Sequence, residues 1–545
     1  MKEQFEVKMD EIIEAQKVQY QKEVIAFQEI GHKFVQGEIT SNEFKATSGG
    51  MGVYAQRGGK EFMIRLRVLS GVLDIKTLEL IYKFAVDYNL PNVHVTLRET
   101  IQLHNLNFDD VITIMKESLN SNLFTRGGGG NYPRNVSLSP LSGVEKGEAF
   151  DVTSYAVLVN KYFLSRMDSY KLPRKFKVAF SNNENDTANA TIADLGFLAV
   201  NREEKNLFKV YIGGSLGNQG DISVPFDELV QPKEVLYHVE ACIRLLMEEG
   251  DYENRGKARM RFIVKRMGRE AFLNCYKKIL QQVKQSKNLE LALELENKHQ
   301  LSTKVKDFDN LGEHQNLSEH QNISEHQNLI SQKQNGLYTI IAHAKGGILK
   351  REDLNQITSF LQGIPEAQIR LSMEENMYIR NLTLVQAKDL LDLIQHLGQT
   401  TMLERSVSCI GVPTCQIGIG ETQKLLADVL TYFENKGILE DLLPPIHISG
   451  CLNSCSRHQV SDIGFRCKKK QVSQQAVDVY TLHIGGAASE FDTHFAKEYG
   501  DLLTDTIPEF LYELALCIKE KQVKFKEYME RYQEEFQAVL TKYLV

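Results

Sequence analysis

Apolar and polar positions along this chain fall into blocks, and the blocks repeat. In "EFMIRLRVL" and "PNVHVTL" apolar residues take alternate places, the period of a half-buried strand. In "EVLYHVEACIRLLMEEG" and the C-terminal "EFLYELALCIKEKQVKFKEYMERYQEEFQAVLTKYL" they recur at three and four, the period of an amphipathic helix. The block at 52–88, "GVYAQRGGKEFMIRLRVLSGVLDIKTLELIYKFAVDY", predicts two strands and then a helix. The block at 336–364, "GLYTIIAHAKGGILKREDLNQITSFLQGI", predicts the same order. Collinear matches continue: "VTLRETIQLHNL" (95–106) with "LSMEENMYIRNL" (371–382), "DLGF" (194–197) with "DIGF" (462–465), "VYIGGS" (210–215) with "LHIGGA" (482–487), and "LYHVEACI" (236–243) with "LYELALCI" (511–518). The separation stays between 268 and 284 residues. The pattern predicts an α+β chain built from an internally duplicated large unit, with a pseudo-twofold axis and a cleft between the halves.

Between the halves runs "GEHQNLSEHQNISEHQNLISQKQNG" (312–336), a polar hexapeptide repeated three times. It holds too few apolar side chains to offset ordering, so it reads as a flexible linker. His314, His320 and His326 recur six apart, which invites a metal reading, but a solvated linker made by repeat expansion is the favoured explanation.

At 545 residues, with 42% apolar and 25% charged residues, the chain reads as three to four globular domains. A net charge of −7 argues against a general nucleic-acid or anionic-membrane surface, while leaving room for a local basic pocket. The charged N-terminus has no apolar h-region, and no run of eighteen apolar residues occurs. A cytoplasmic protein is expected. In a reducing compartment, grouped cysteines are more often metal-binding or catalytic than disulfide-bonded.

Four of the eight cysteines are grouped, all in the second half: Cys409 and Cys415 in "SCIGVPTCQIG", Cys451 and Cys455 in "GCLNSC". Four thiolates suit an iron–sulfur cluster, and the surrounding Gly411, Pro413, Gly418 and Gly450 suit loops that wrap one. Zinc is the alternative, with His447 and His458 as substitute ligands, and unligated thiols are a third reading. The Cys-x3-Cys pair would share one face of a helical turn. Cys242, Cys275 and Cys517 read as small buried hydrophobes, and Cys467 stands apart.

The combination "C-x3-PTC" followed by "SGC-x-NSC-x3-Q-x-x-DIG" resembles the signature of siroheme-dependent sulfite and nitrite reductases, and the resemblance spans roughly residues 30 to 520. It implies two ferredoxin-like half-units and two larger α+β siroheme/iron–sulfur domains related by the pseudo-twofold. The expected organisation is a helical segment at 1–45, half-units at 46–112 and 336–400, larger domains at 113–305 and 401–545, and the linker at 306–335. It further implies that Cys409, Cys415, Cys451 and Cys455 hold a [4Fe–4S] cluster, with the Cys455 sulfur bridging to siroheme and Asn453 close by. Arg98 ("LRETIQLH"), Arg134 ("RGGGGNYPRNVSLSP"), Lys175 and Lys177 ("LPRKFKVAF") would form the anion pocket and supply protons. Arg174, with Arg65 and Arg67 ("IRLRV"), would meet siroheme carboxylates, and Arg126 is a further basic residue of the same segment. On an extended strand Lys175 and Lys177 share one face and Phe176 the other. The "GGGG" at 127–130 lacks the pattern of a nucleotide loop and reads as close backbone approach to the macrocycle. "GGSLGNQG" (213–220) is a phosphate-loop lookalike of the same weak kind.

The implied reaction is the six-electron reduction of sulfite to sulfide, or of nitrite to ammonia. In the family Lys at the position of Lys177 goes with sulfite, and Asn with plant nitrite reductases. No flavin or nicotinamide segment is visible, so electrons are expected from a separate acidic ferredoxin, or failing that a flavoprotein subunit. A cobalamin-synthesis monooxygenase of the same family fits the duplicated chain less well. A non-enzymatic zinc module is the reading from another class.

Overall fold

The computed structural model describes residues 3–290, 326–437, 440–472 and 474–545, with side chains from Met9 onward. His314 and His320 of the hexapeptide repeat lie outside the described residues. The end of that stretch is ordered structure, not linker: His326 Nδ1 accepts from the Asn328 amide at 3.2 Å, and Leu329–Ser331 is a strand paired antiparallel with Tyr338–His343.

Four five-stranded sheets form two matched pairs. The first sheet runs Val53–Ala55, Phe62–Leu66, Ile101–Leu106, Asn92–Val95; its mate runs Leu329–Ser331, Tyr338–His343, Asn376–Leu382, Gln368–Leu371. Each is completed by a strand from the other half. Ile348–Lys350 pairs antiparallel with Asn92–Val95, and Val72–Leu73 pairs antiparallel with Gln368–Leu371. The exchange covers two edges that would otherwise expose unpaired N–H and C=O groups. It also fuses the two half-units around one hydrophobic core: Leu78, Ile81, Val93 and Leu103 are continuous with Ile340, Leu354, Ile369 and Ile379.

The helix predicted after the first two strands is Ile75–Asp87, capped by Asp74, whose side chain accepts from the Thr77 amide at 2.7 Å. Its counterpart is Arg351–Leu361. The expected N-terminal helical segment is the helix Glu3–Val35 followed by Ser41–Met51. Val24 and Phe27 join the core of the half-units, and Gly31 allows a close approach: a Cβ there would stand 1.7 Å from the Phe108 ring.

The second pair of sheets has one topology used twice. Ser137–Leu138, Val178–Ser181 and Leu195–Arg202 are parallel, then Lys205–Ile212 and Val224–Pro225 add antiparallel. Val407–Ser408, Ile446–Ser449 and Ile463–Val472 are likewise parallel, followed antiparallel by Gln475–Ile484 and Lys497–Leu503. The repeated "DLGF" and "DIGF" have one packing cause. A Cβ on Gly196 would sit 2.0 Å from the Ala190 carbonyl oxygen, and one on Gly464 2.2 Å from that of His458. Among the described residues no helix is long and apolar enough to cross a membrane.

Candidate functional site

The four cysteines stand at the carboxyl ends of two adjacent parallel strands, where open α/β sheets present ligand sites. Cys409 follows Val407–Ser408, and Cys451 comes two residues after Ile446–Ser449. The two loops are stitched together: the Cys409 amide donates to the Ile448 carbonyl at 3.1 Å, and the Ile419 amide to the Gly450 carbonyl at 2.8 Å. Donors face the sulfurs. The Gly450 amide donates to Cys409 Sγ at 3.2 Å, and Asn453 Nδ2 to Cys451 Sγ at 3.5 Å. Burial and the neighbouring Cys455 push the Cys409 thiol up to about 12; burial, Cys455 and Cys415 push Cys451 up as well. The Cys-x3-Cys segment is not a helical turn. Ser454 (φ 51°) and Arg457 (φ 64°) take the left-handed conformation, which folds 450–457 into an irregular loop.

A cavity of about 220 Å³ opens against this loop. Cys455, Asn453 and Ser454 form one wall; Arg98, Arg174, Lys175 and Lys177 from the first half form the facing wall. Phe176 points away into the core, as the strand period requires. Arg255, Arg259, Arg261 and Arg457 complete the lining, so eight cations and no carboxylate face the space. Burial and repulsion from Arg259 and Arg134 bring the Lys175 ammonium down to about 7. Lys177 is pushed well down by burial and by Arg98, Lys175 and Arg259. Arg98 is fixed by three acceptors, the carbonyls of Asn135 (3.0 Å) and Val178 (3.1 Å) and Ser137 Oγ (3.1 Å). Asp194, the acid of "DLGF", accepts from the Lys177 amide and from Arg259 Nη2, each at 2.8 Å, and so holds two lining segments at once.

Three of the predicted basic residues stand behind the wall. Arg134 donates to the carbonyls of Gly128 (2.6 Å) and Gly130 (2.7 Å), and Arg65 also donates to Gly128. Arg65 still lies within the field of Cys455 and Cys415. Arg67 is fully buried and spent on Asn160 Oδ1 (3.0 Å) and the carbonyls of Arg126, Pro133 and Arg134. Arg126 pairs with Glu23 at 2.8 Å, away from the cavity. Internal packing requires the glycine run: a Cβ on Gly129 would stand 2.1 Å from Tyr54 Oη and 2.3 Å from the Gly49 carbonyl oxygen. "GGSLGNQG", by contrast, supplies lining backbone at Gly217 and Asn218. Arg255, Arg259 and Arg261 were missed by sequence reasoning; the acid-free run "NRGKARMRF" is the signal that marks them.

Two buried glutamates, Glu99 and Glu375, occupy equivalent places in the duplication and share a left-handed backbone (φ 55° and 63°). Both Glu99 oxygens accept from the Leu138 amide, at 3.1 and 3.0 Å, yet burial pushes its carboxyl up to about 8. A carboxyl whose pKa rises on folding loses stability for the fold as pH climbs from the unfolded value near 4.5 through about 8. Glu99→Gln keeps the acceptor and removes the titration. It is expected to raise the melting temperature at pH 8.5 and leave it nearly unchanged at pH 5; calorimetry at the two pH values checks this.

The residues present fit a cluster and an anionic macrocycle. Thiolates are the usual cluster ligands. The eight basic side chains that line the cavity, with no carboxylate among the lining residues, suit a polycarboxylate.

Comparison with known proteins agrees with this reading. Residues 54–120 match the nitrite/sulfite reductase ferredoxin-like half domain, and residues 129–284 match the nitrite and sulphite reductase 4Fe-4S domain. The latter span is the half that lacks the cysteine set. The chain is 25% identical over 469 residues to a ferredoxin–nitrite reductase of Synechococcus elongatus, covering 84% of this chain and 86% of that one. It is 23% identical over 442 residues to sulfite reductase [ferredoxin] 1 of Mycolicibacterium paratuberculosis, covering 79% and 74%. The fold is that of the Mycobacterium tuberculosis NirA protein, with a TM-score of 0.75 over 92% of each chain at 21% identity.

Proposed function

Because the chain belongs to the nitrite and sulfite reductase family that uses siroheme and a [4Fe–4S] cluster, we propose that it reduces sulfite to sulfide by six electrons. The observation that carries the choice of sulfite is Lys177, whose side chain lines the cavity opposite Cys455. Nitrite reduction to ammonia is the second reading, favoured by the number of relatives named as nitrite reductases. Cys409, Cys415, Cys451 and Cys455 would hold the cluster, with Cys455 shared with the siroheme and Asn453 beside it. Arg174, Arg255, Arg259 and Arg261 would meet siroheme carboxylates, with Arg65 acting from behind the wall. When bound, the pair supplies single electrons and an open iron position for substrate.

The chain's own residues do the rest. Arg98, Lys175 and Lys177 bind and orient the anion in a space from which carboxylates are absent. With burial and the neighbouring arginines bringing it down to about 7, the Lys175 Nζ holds a transferable proton near neutrality. Entry of an anion raises that pKa, and binding above pH 7 therefore takes up a proton. Arg134 keeps the glycine run in place. Electrons would come from a small acidic ferredoxin, as the names of the relatives indicate, in a cytoplasmic setting.

Purified protein is expected to be coloured, with a Soret band and a red chlorin band, and to oxidise a reduced ferredoxin in the presence of sulfite. A colourless, zinc-containing protein would sink the redox reading. A much higher kcat/KM for nitrite than for sulfite under the same donor would move the assignment to nitrite.

A further inference from the structure

A second cavity adjoins the first and is not used by the chemistry above. Its volume is about 330 Å³, against the ~10–15 Å³ that one ordered water needs. The two cavities share Gly217 and Asn218 as a partition, and the consecutive residues Leu452 and Asn453 line one cavity each. Gln459 clamps the partition: its Oε1 accepts from the Gly217 amide at 2.7 Å and its Nε2 donates to the Gly217 carbonyl at 3.2 Å. The far wall carries His458, Arg466, Phe495 and Glu498. Behind it lies His483, whose ring centroid is 4.7 Å from that of His458 and whose Nε2 is 3.9 Å from Glu498 Oε1. His458 Nδ1, His483 Nε2 and Arg466 Nε are buried without a hydrogen-bond partner, as the donors and acceptors along a water path would be.

The proposed reaction needs such traffic. Sulfite with six electrons and seven protons gives hydrosulfide and three waters; nitrite with six electrons and eight protons gives ammonium and two waters. The electrons arrive singly from the reduced donor protein, but the protons and waters must cross the wall. The eight-cation face that attracts the anion repels hydronium. The second cavity is nearly balanced, with Arg466 Nη1 3.4 Å from Glu498 Oε1.

Resting on the proposed reduction, we propose that the second cavity is the proton and water passage of the site, with Glu498 at its mouth, His458 on its wall and His483 behind that wall linking the two. Glu498 is 56% exposed and meets solvent. Burial, with Arg466 and Lys468, holds His483 down to about 4 against the pull of Glu498. Burial, His483, Arg466 and His447 hold His458 well below its usual value. Both rings are therefore neutral, each able to accept at one nitrogen and release from the other.

The test uses the holoenzyme with saturating sulfite and nitrite and a reduced ferredoxin. Glu498→Gln and His483→Gln are expected to lower kcat about 5- to 10-fold, to enlarge the solvent deuterium isotope effect, and to recover with millimolar imidazole. KM and the absorption spectrum should not change. A high-resolution crystal structure should show ordered water running from Glu498 to Gly217. Wild-type kcat and isotope effect in Glu498→Gln, the exposed variant that folds without difficulty, overturn the passage, as does a dry cavity. A wild-type enzyme that reduces neither anion overturns the reduction itself, so the two failures are distinguishable.

Discussion

Cys455→Ser is expected to abolish anion reduction, by at least ~10³-fold, or about 4 kcal/mol of transition-state stabilisation. Among the described residues Cys455 alone belongs both to the four-thiol set and to the cavity lining. A serine hydroxyl is a hard, protonated group at neutral pH and does not replace a thiolate on iron. The basic wall is untouched by the change, so siroheme should still enter, held by the arginines. Its spectrum should then lose the magnetic coupling to the cluster. Cys275→Ser, on the helix Arg269–Ser286 and outside the four-thiol set, is the control and should retain colour and rate. Iron and siroheme content, electron paramagnetic resonance of the reduced protein and steady-state rates check the pair. Full activity in Cys455→Ser refutes the shared-ligand assignment.

The second large effect is expected at Lys177. Lys177→Asn should lower kcat/KM for sulfite about 10²-fold, or about 2.7 kcal/mol, the cost typical of losing one preorganised donor to a developing anion. Nitrite should lose several-fold less. Coulomb attraction scales with the charge of the ligand, and sulfite carries up to two negative charges near neutrality where nitrite carries one. Lys177 is buried among Arg98, Lys175 and Arg259, and burial with these cations pushes its pKa well down. A doubly charged ligand restores its proton more strongly than a singly charged one. The ratio of the two kcat/KM values, measured at pH 7 and pH 8.5 for both proteins, reads this difference. An unchanged ratio removes Lys177 as the determinant.

Much of this architecture was legible in the sequence, because duplication writes every packing requirement twice. The pairs "DLGF" and "DIGF" survive since Gly196 and Gly464 each face a carbonyl oxygen that tolerates no Cβ. The thiols could be found because four cysteines with small neighbours have few other uses. The strand exchange could not be found: Val72–Leu73 and Ile348–Lys350 are two and three residues long, and nothing local tells which sheet a short edge strand joins. Arg67 and Arg134 were expected at the cavity because a sequence shows charge and not direction. Both turn to backbone carbonyls that no side-chain pattern announces. Arg457 reaches the cavity only through a left-handed backbone at φ 64°, one that residue type alone rarely predicts.

The traded edge strands bear on how such a chain can change over generations. A gene that doubles usually leaves a spare copy, free to decay. Here each copy finishes the other's sheet, through Ile348–Lys350 in one direction and Val72–Leu73 in the other. Neither can be discarded without unravelling its sibling. What remains open to drift is the chemistry at the strand ends, where one copy carries thiols and the other carries Ser139 and Asn182. Mutual dependence in the scaffold is what permits division of labour at the surface it holds up.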